Sequence, residues 1–143
     1  MLRLTEILAR LSRHLDGLVH GSAAGDALLA ARHRSFIGAH LSAGLLALAA
    51  IPVWLASGAP AAEAAPIAFL FLAAPLAVAA FLSRTGRLDH AHLASSSAFA
   101  ALIAWAATAT GGPLSPALAW LAVIPLEAAL AGSRRTTIAA GGI

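Results

Sequence analysis

Apolar residues recur along this chain in two different patterns. From Met1 to Leu18 they fall at Met1, Leu4, Leu8, Leu11, Leu15 and Leu18, with Arg3, Glu6, Arg10, Arg13 and Asp16 on the remaining faces. Alternating steps of three and four are the seam of a heptad and predict an amphipathic helix, which Ile7 and Val19 widen beyond a strict coiled-coil stripe. Three placements suit such a helix: on the inner membrane surface, against a second copy, or packed on a partner domain. Gly21-Ser22-Ala23-Ala24-Gly25 then predicts a flexible break before Asp26 to Arg34 leads onward.

Beyond Arg34 the one-sided stripe disappears and apolar residues surround the chain on every face. A membrane-spanning helix needs about 20 mainly apolar residues. Four stretches meet that length: Ser35 to Ala56, about Pro66 to Ser83, about His90 to Ala109, and Pro116 to Gly132 with Ser115 as its N-cap. Thr136 to Ile143 is a further apolar run, too short to span, and predicts the start of a fifth helix. No cleavable signal peptide precedes Ser35, so the first span is expected to act as an uncleaved anchor. The expected architecture is all-α: a multi-pass transmembrane bundle with four complete spans and the start of a fifth, preceded by a cytoplasmic amphipathic helix. Its parts are a leader over 1–34, a four-span membrane region over 35–135 and the opening of the fifth span over 136–143.

Composition agrees with a bilayer as solvent. The 143 residues are 60% hydrophobic and 10% charged, with a mean hydropathy of +0.86, outside the usual range of a water-soluble domain. There is no cysteine, which excludes disulfides, thiolate metal sites and cysteine nucleophiles.

The formal charge of +3 gains meaning from its placement. Every basic residue is an arginine: Arg3, Arg10, Arg13, Arg32 and Arg34 precede the first span, Arg84 and Arg87 separate the second from the third, and Arg134 and Arg135 follow the fourth. Positive loops stay on the cytoplasmic side, which puts the N-terminus inside a bacterial inner membrane and leaves only Glu63 as a charge in the outer loops. Trp54, Trp105 and Trp120 then fall in the outer leaflet, where an interfacial aromatic belt is expected. The basic balance is thus a topology signal, and no nucleic-acid partner follows from it.

Glu127 is the only acid inside a predicted span, and an ionisable group in hydrocarbon needs a partner or a task. It lies seven residues before Arg134, and His40 lies six after Arg34, placing both about 9–11 Å inside the cytoplasmic boundary. Ser95, Ser96 and Ser97 enter the third span at similar depth. His40, Ser96 and Glu127 therefore predict a polar membrane layer. It acts as interhelical glue, as a proton-responsive switch, or as the site of a small inner-membrane transporter or transporter half in which Glu127 is the coupling acid. His14, His20, His33, His90 and His92 are expected to be interfacial polar residues, and His90 and His92 stand two apart, a poor spacing for a shared metal on a helix. No metal site is expected. Pro52, Pro75 and Pro125 lie within spans and can kink them. Phosphate-loop, zincin and nucleophile-elbow motifs are absent, so no catalytic residue is assigned.

Thr110-Gly111-Gly112-Pro113-Leu114-Ser115-Pro116, with Pro125-Leu126-Glu127-Ala128-Ala129-Leu130 and Ser133-Arg134-Arg135, resembles the membrane input region of alphaproteobacterial PAS-containing sensor histidine kinases of the DivJ type. Ala31 to Ile37 with His40-Leu41, and Leu82 to Arg87, fit the same pattern, so the likeness extends over about residues 15–135. It implies a homodimeric sensor whose kinase part, outside this chain, uses ATP and Mg and passes phosphate to a response regulator. No phosphoacceptor-histidine motif and no ATP-binding glycine box lie here, so the chain itself is expected to hold no cofactor. The outer turn residues Thr110, Gly111, Gly112, Ser115 and Pro116 carry the most specific part of the likeness, and tight-turn and helix-start chemistry also accounts for them physically.

Overall fold

The computed structural model describes residues 2–56 and 65–123. Among them are four α-helices, α1 (Leu2–Leu18), α2 (Ala27–Ala56), α3 (Ala65–Thr85) and α4 (Leu88–Ala109), with 3-10 segments at Gly21–Ala23, Gly112–Leu114 and Pro116–Ala122. No strand occurs among the described residues. The heptad seam of the leader is realised as α1, and α2 and α3 run on through Pro52 and Pro75 respectively.

Two expectations are revised locally. The stretch from Gly21 to Gly25 is an ordered turn rather than a flexible break, and Ala23 within it is fully buried. The fourth predicted span opens in 3-10 geometry over Pro116–Ala122. Pro116 has no N–H to offer, and the Leu118 amide donates back to the Ser115 carbonyl at 3.1 Å, three residues away, which starts the segment in the tighter register. The remainder of that span and the expected fifth helix lie outside the described residues.

One described helix, over Leu88–Thr108, is long and apolar enough to cross a membrane, and only 28% of it is buried inside the structure. Ala91, Ser96, Ala100, Ile103 and Ala107 are its buried residues, and Leu93 is its exposed large apolar side chain. α2 contains the whole first predicted span in one unbroken helix. In α3 the described apolar stretch is shorter, Phe69–Thr85. Leu45, Leu46 and Val53 on α2 and Leu70 on α3 are also exposed. Exposed apolar side chains in such number are what a lipid-facing surface requires.

The described residues form two compact units. The first holds α1, α2 and the part of α3 from Pro75; the second holds the part of α3 up to Ala74, α4 from Asp89 and the segments that follow. Phe36, Ile37, Val78, Ala79 and Leu82 are the buried apolar residues of the first unit's helices. Gly44 lets α2 approach α3 closely there, since a Cβ at that position would stand 2.5 Å from Leu76 Cγ. In the second unit Ser96, Ala100, Ile103 and Ala107 are buried at steps of four, three and four along one face of α4. Leu121 packs against Ala100 there, and the rings of Phe71 and Trp105 meet at 6.1 Å.

Candidate functional site

The first unit builds a junction where the leader meets the ends of α2 and α3. α1 packs on α2, with Leu15 lying against Gly38, where a Cβ would be 3.5 Å from Leu15 Cδ1. Asp16 near the end of α1 pairs with Arg34 on α2 at 2.5 Å, both side chains being about half exposed. The leader helix is thus anchored on its own chain, an arrangement that its heptad pattern alone did not distinguish from membrane, dimer or partner-domain packing.

Between α1 and α2 the chain turns by means of two side-chain caps. His20 is extended and caps the 3-10 turn Gly21–Ala23, its Nδ1 accepting from the Ser22 amide at 3.1 Å. The Ser22 hydroxyl lies 2.9 Å from the same nitrogen. An Nδ1 that accepts the amide hydrogen places the neutral ring's own proton on Nε2. Asp26 then opens α2, its carboxylate accepting from Leu28 N–H at 2.8 Å and Leu29 N–H at 3.1 Å, which satisfies two of the four amides a helix start leaves free.

The C-terminus of α3 reaches the same turn through Gly86, whose φ of 67° is left-handed. Its amide closes the helix on the Leu82 carbonyl at 2.9 Å. A side chain here would be strained by the backbone and would strike the cap directly, since a Cβ would stand 2.6 Å from His20 Nδ1 and closer still to the Ser22 hydroxyl. Thr85 donates to the Phe81 carbonyl at 2.8 Å, so the last turn of α3 is held on both sides of this contact.

His33 lies on α2 within this unit and corrects the expectation of an interfacial residue, because it is fully buried. Neither ring nitrogen finds a hydrogen-bond partner among the described residues. Burial first, and the nearby His20 second, hold its pKa below the ordinary imidazole value. The physical reason is that enclosure penalises the imidazolium, which a second imidazole then repels if it too is charged. Enclosure at this position therefore favours the neutral ring. His33 stands four residues before Ile37 and eight before Leu41, so helical periodicity puts all three on one face. That signal was present, but Arg32 and Arg34 on either side gave the segment the look of a solvated approach to the membrane.

The predicted polar layer is described only in part. His40 belongs to the first unit, where its Nδ1 is 2.9 Å from the Phe36 carbonyl and its ring stacks on Phe36 at 3.9 Å. Ser96 is buried on α4 in the second unit. Glu127 lies outside the described residues.

The outer-turn residues come together in the second unit. Gly111 and Gly112 take φ of 118° and 62°, a pair of left-handed positions that other residues rarely accept. The reversal brings Thr110 and Ser115 hydroxyls to 2.6 Å. Thr110 Oγ1 donates to the Ala106 carbonyl at 2.8 Å, so Ser115 donates to Thr110 and in turn accepts from the Ala117 amide at 3.1 Å. With Pro116 in the first turn, Ser115 is the cap its position predicts. Trp120, in the same unit, is exposed. Among the described residues no group of three metal-ligating side chains occurs. No protein-family model, curated protein or solved structure matches the chain.

Proposed function

We propose that this chain is the membrane input region of a two-component sensor histidine kinase, a multi-pass bacterial inner-membrane bundle with four spans and a cytoplasmic N-terminus. It works as a homodimer whose kinase part, with ATP and Mg, phosphorylates a histidine and passes the phosphate to a response regulator. The observation that carries this reading is the junction at the leader: α1 packs on α2 and pairs with it through Asp16 and Arg34, and the Gly86 turn that ends α3 closes on the His20–Ser22 cap. A change in how those helices pack is thereby converted into movement of the leader, which is what an input region needs. The length and apolarity of α4, with the exposed Leu45, Leu46, Val53 and Leu70, support the membrane placement, and the TGGxxSP-like turn supports the family resemblance.

Two experiments test it. The native protein, isolated in its own membranes and given radiolabelled ATP, should acquire acid-labile, base-stable phosphohistidine. Reporter fusions at Arg87 and at Thr110 should report cytoplasmic and outer locations respectively. A protein that never labels, and whose Glu127→Gln variant abolishes proton-driven uptake into vesicles, is a transporter and not a sensor.

A further inference from the structure

The first unit contains a cavity of about 230 Å³ that the junction does not use. Leu18 at the end of α1, Ile37 and Leu41 on α2, and Leu76 on α3 make its apolar wall; Ser83 and Arg84 make its polar end. From Leu76 to Arg84 the groove follows about 12 Å of α3. Its polarity is ordered along that length, apolar first and cationic last, with no acidic residue in the lining.

Arg84 is exposed and makes no ion pair among the described residues, whereas Arg34 of the same unit is held by Asp16. A free guanidinium at the mouth of an apolar groove complements a molecule with a hydrocarbon tail and an anionic head. Basic pockets between membrane helices on the cytoplasmic side attract lipid headgroups for this reason. Arg84 lies in the last turn of α3, where the helix dipole also favours its charge. The dipole accounts for an arginine at that helix end; it does not account for a hydrocarbon-sized groove leading to it.

We infer that this groove binds one anionic phospholipid of the inner leaflet, with an acyl chain against Leu18, Ile37, Leu41 and Leu76 and the phosphate at Arg84, where the Ser83 hydroxyl adds a donor. A zwitterionic lipid has the same tail but brings an ammonium for which the lining offers no acid. Because Leu18 belongs to the leader, the bound lipid bridges α1, α2 and α3 and stabilises the docked leader. The inference rests on the membrane placement proposed above and is independent of the kinase connection.

Native mass spectrometry of the full chain, released from detergent micelles with phosphatidylglycerol and phosphatidylcholine of identical tails, tests it. The expected phosphatidylglycerol preference is about five-fold, the size for one arginine at an anionic surface. Arg84→Gln should bring the ratio close to one, and Ala80→Leu, which adds bulk to the groove lining, should remove both adducts. Arg32→Gln, an exposed arginine outside the groove, should leave the ratio unchanged. Circular dichroism of each variant checks that helicity is kept. A preference that survives Arg84→Gln, or that Arg32→Gln removes equally, overturns the site. Alkaline carbonate extraction of the same chain separates the two failures: release from membranes sinks the membrane reading itself, while retention with equal adducts sinks only the lipid site.

Discussion

The leader junction and the outer turn both reverse the chain with a side-chain cap and left-handed glycine, yet they differ in the chemistry of the cap and in what is buried beside it. At the outer turn the cap is a chain of hydroxyls, Ser115 to Thr110 to the Ala106 carbonyl, closed within eleven or so residues of sequence. At the junction the cap is the His20 imidazole, the glycine arrives from the far end of α3, and a second imidazole, His33, is buried in the same unit. Hydroxyls keep their protons across the whole physiological range, whereas the buried His33 imidazole has its pKa held below the ordinary value by burial. The first turn therefore carries no group that changes charge near neutrality, whereas the second has a buried imidazole beside it.

The contrast is most open to attack through the glycines. Gly86→Ala meets both a left-handed backbone and the His20–Ser22 cap, and should destabilise by about 3 kcal/mol. Gly112→Ala meets the same backbone penalty in open space and should cost about 1 kcal/mol. Thermal unfolding in micelles, followed by circular dichroism, measures both; equal losses would show that Gly86 makes no special contact.

Acidification comes next. The buried His33 has a pKa below the ordinary 6.5, so the opened junction binds more protons than the closed one between those two values. The closed state is thus fully favoured above about pH 6.5 and loses stability as pH falls from there through the lowered pKa. His20 is the neighbour that opposes the charge of His33, and the Asp16–Arg34 pair, Asp26, Arg32 and Arg84 are among the charged groups of the same unit. Amide exchange at Ser22 to Ala24, corrected for intrinsic rate, should accelerate several-fold on moving from pH 7.5 to about 5.5, and exchange at Ala117 and Leu118 should not. In His33→Leu the acid response should largely vanish, and its persistence would show that His33 is not its source.

Smaller effects bound the rest. Ser115→Ala removes the outer cap and should cost about 1 kcal/mol at any pH in that range. Asp16→Asn should cost less than about 1 kcal/mol and the loss should shrink in high salt, because the Asp16–Arg34 pair is half exposed. A larger, salt-independent loss would make that pair the principal anchor of the leader.

Much of the local architecture was legible in the order of residues. The seam from Met1 to Leu18 predicted α1, and Ser115 followed by Pro116 predicted a cap that the structure contains. The helices over the first three predicted spans are present, with α4 alone among the described residues meeting both length and apolarity for a crossing. The ordered turn after α1 was misread because Gly21 to Gly25 has the composition of a linker. What orders it, the His20 cap and the approach of Gly86, involves a residue more than sixty positions away. Burial of His33 was signalled only by the helix face it shares with Ile37 and Leu41, a signal that its flanking arginines, which are exposed, outweigh.

Sequence by itself determined the helical class, the amphipathic leader, the long apolar stretches and the glycine and serine chemistry of the outer turn. These depend on interactions within about four residues, and spacing records them directly. Only the tertiary structure decided that the leader docks on α2, that Gly86 closes on the His20 cap, and that His33 is enclosed while Arg84 stands free at the end of an apolar groove. Those outcomes depend on which distant surfaces meet, and an imidazole or a guanidinium has the same local signature whether the fold covers it or leaves it in water.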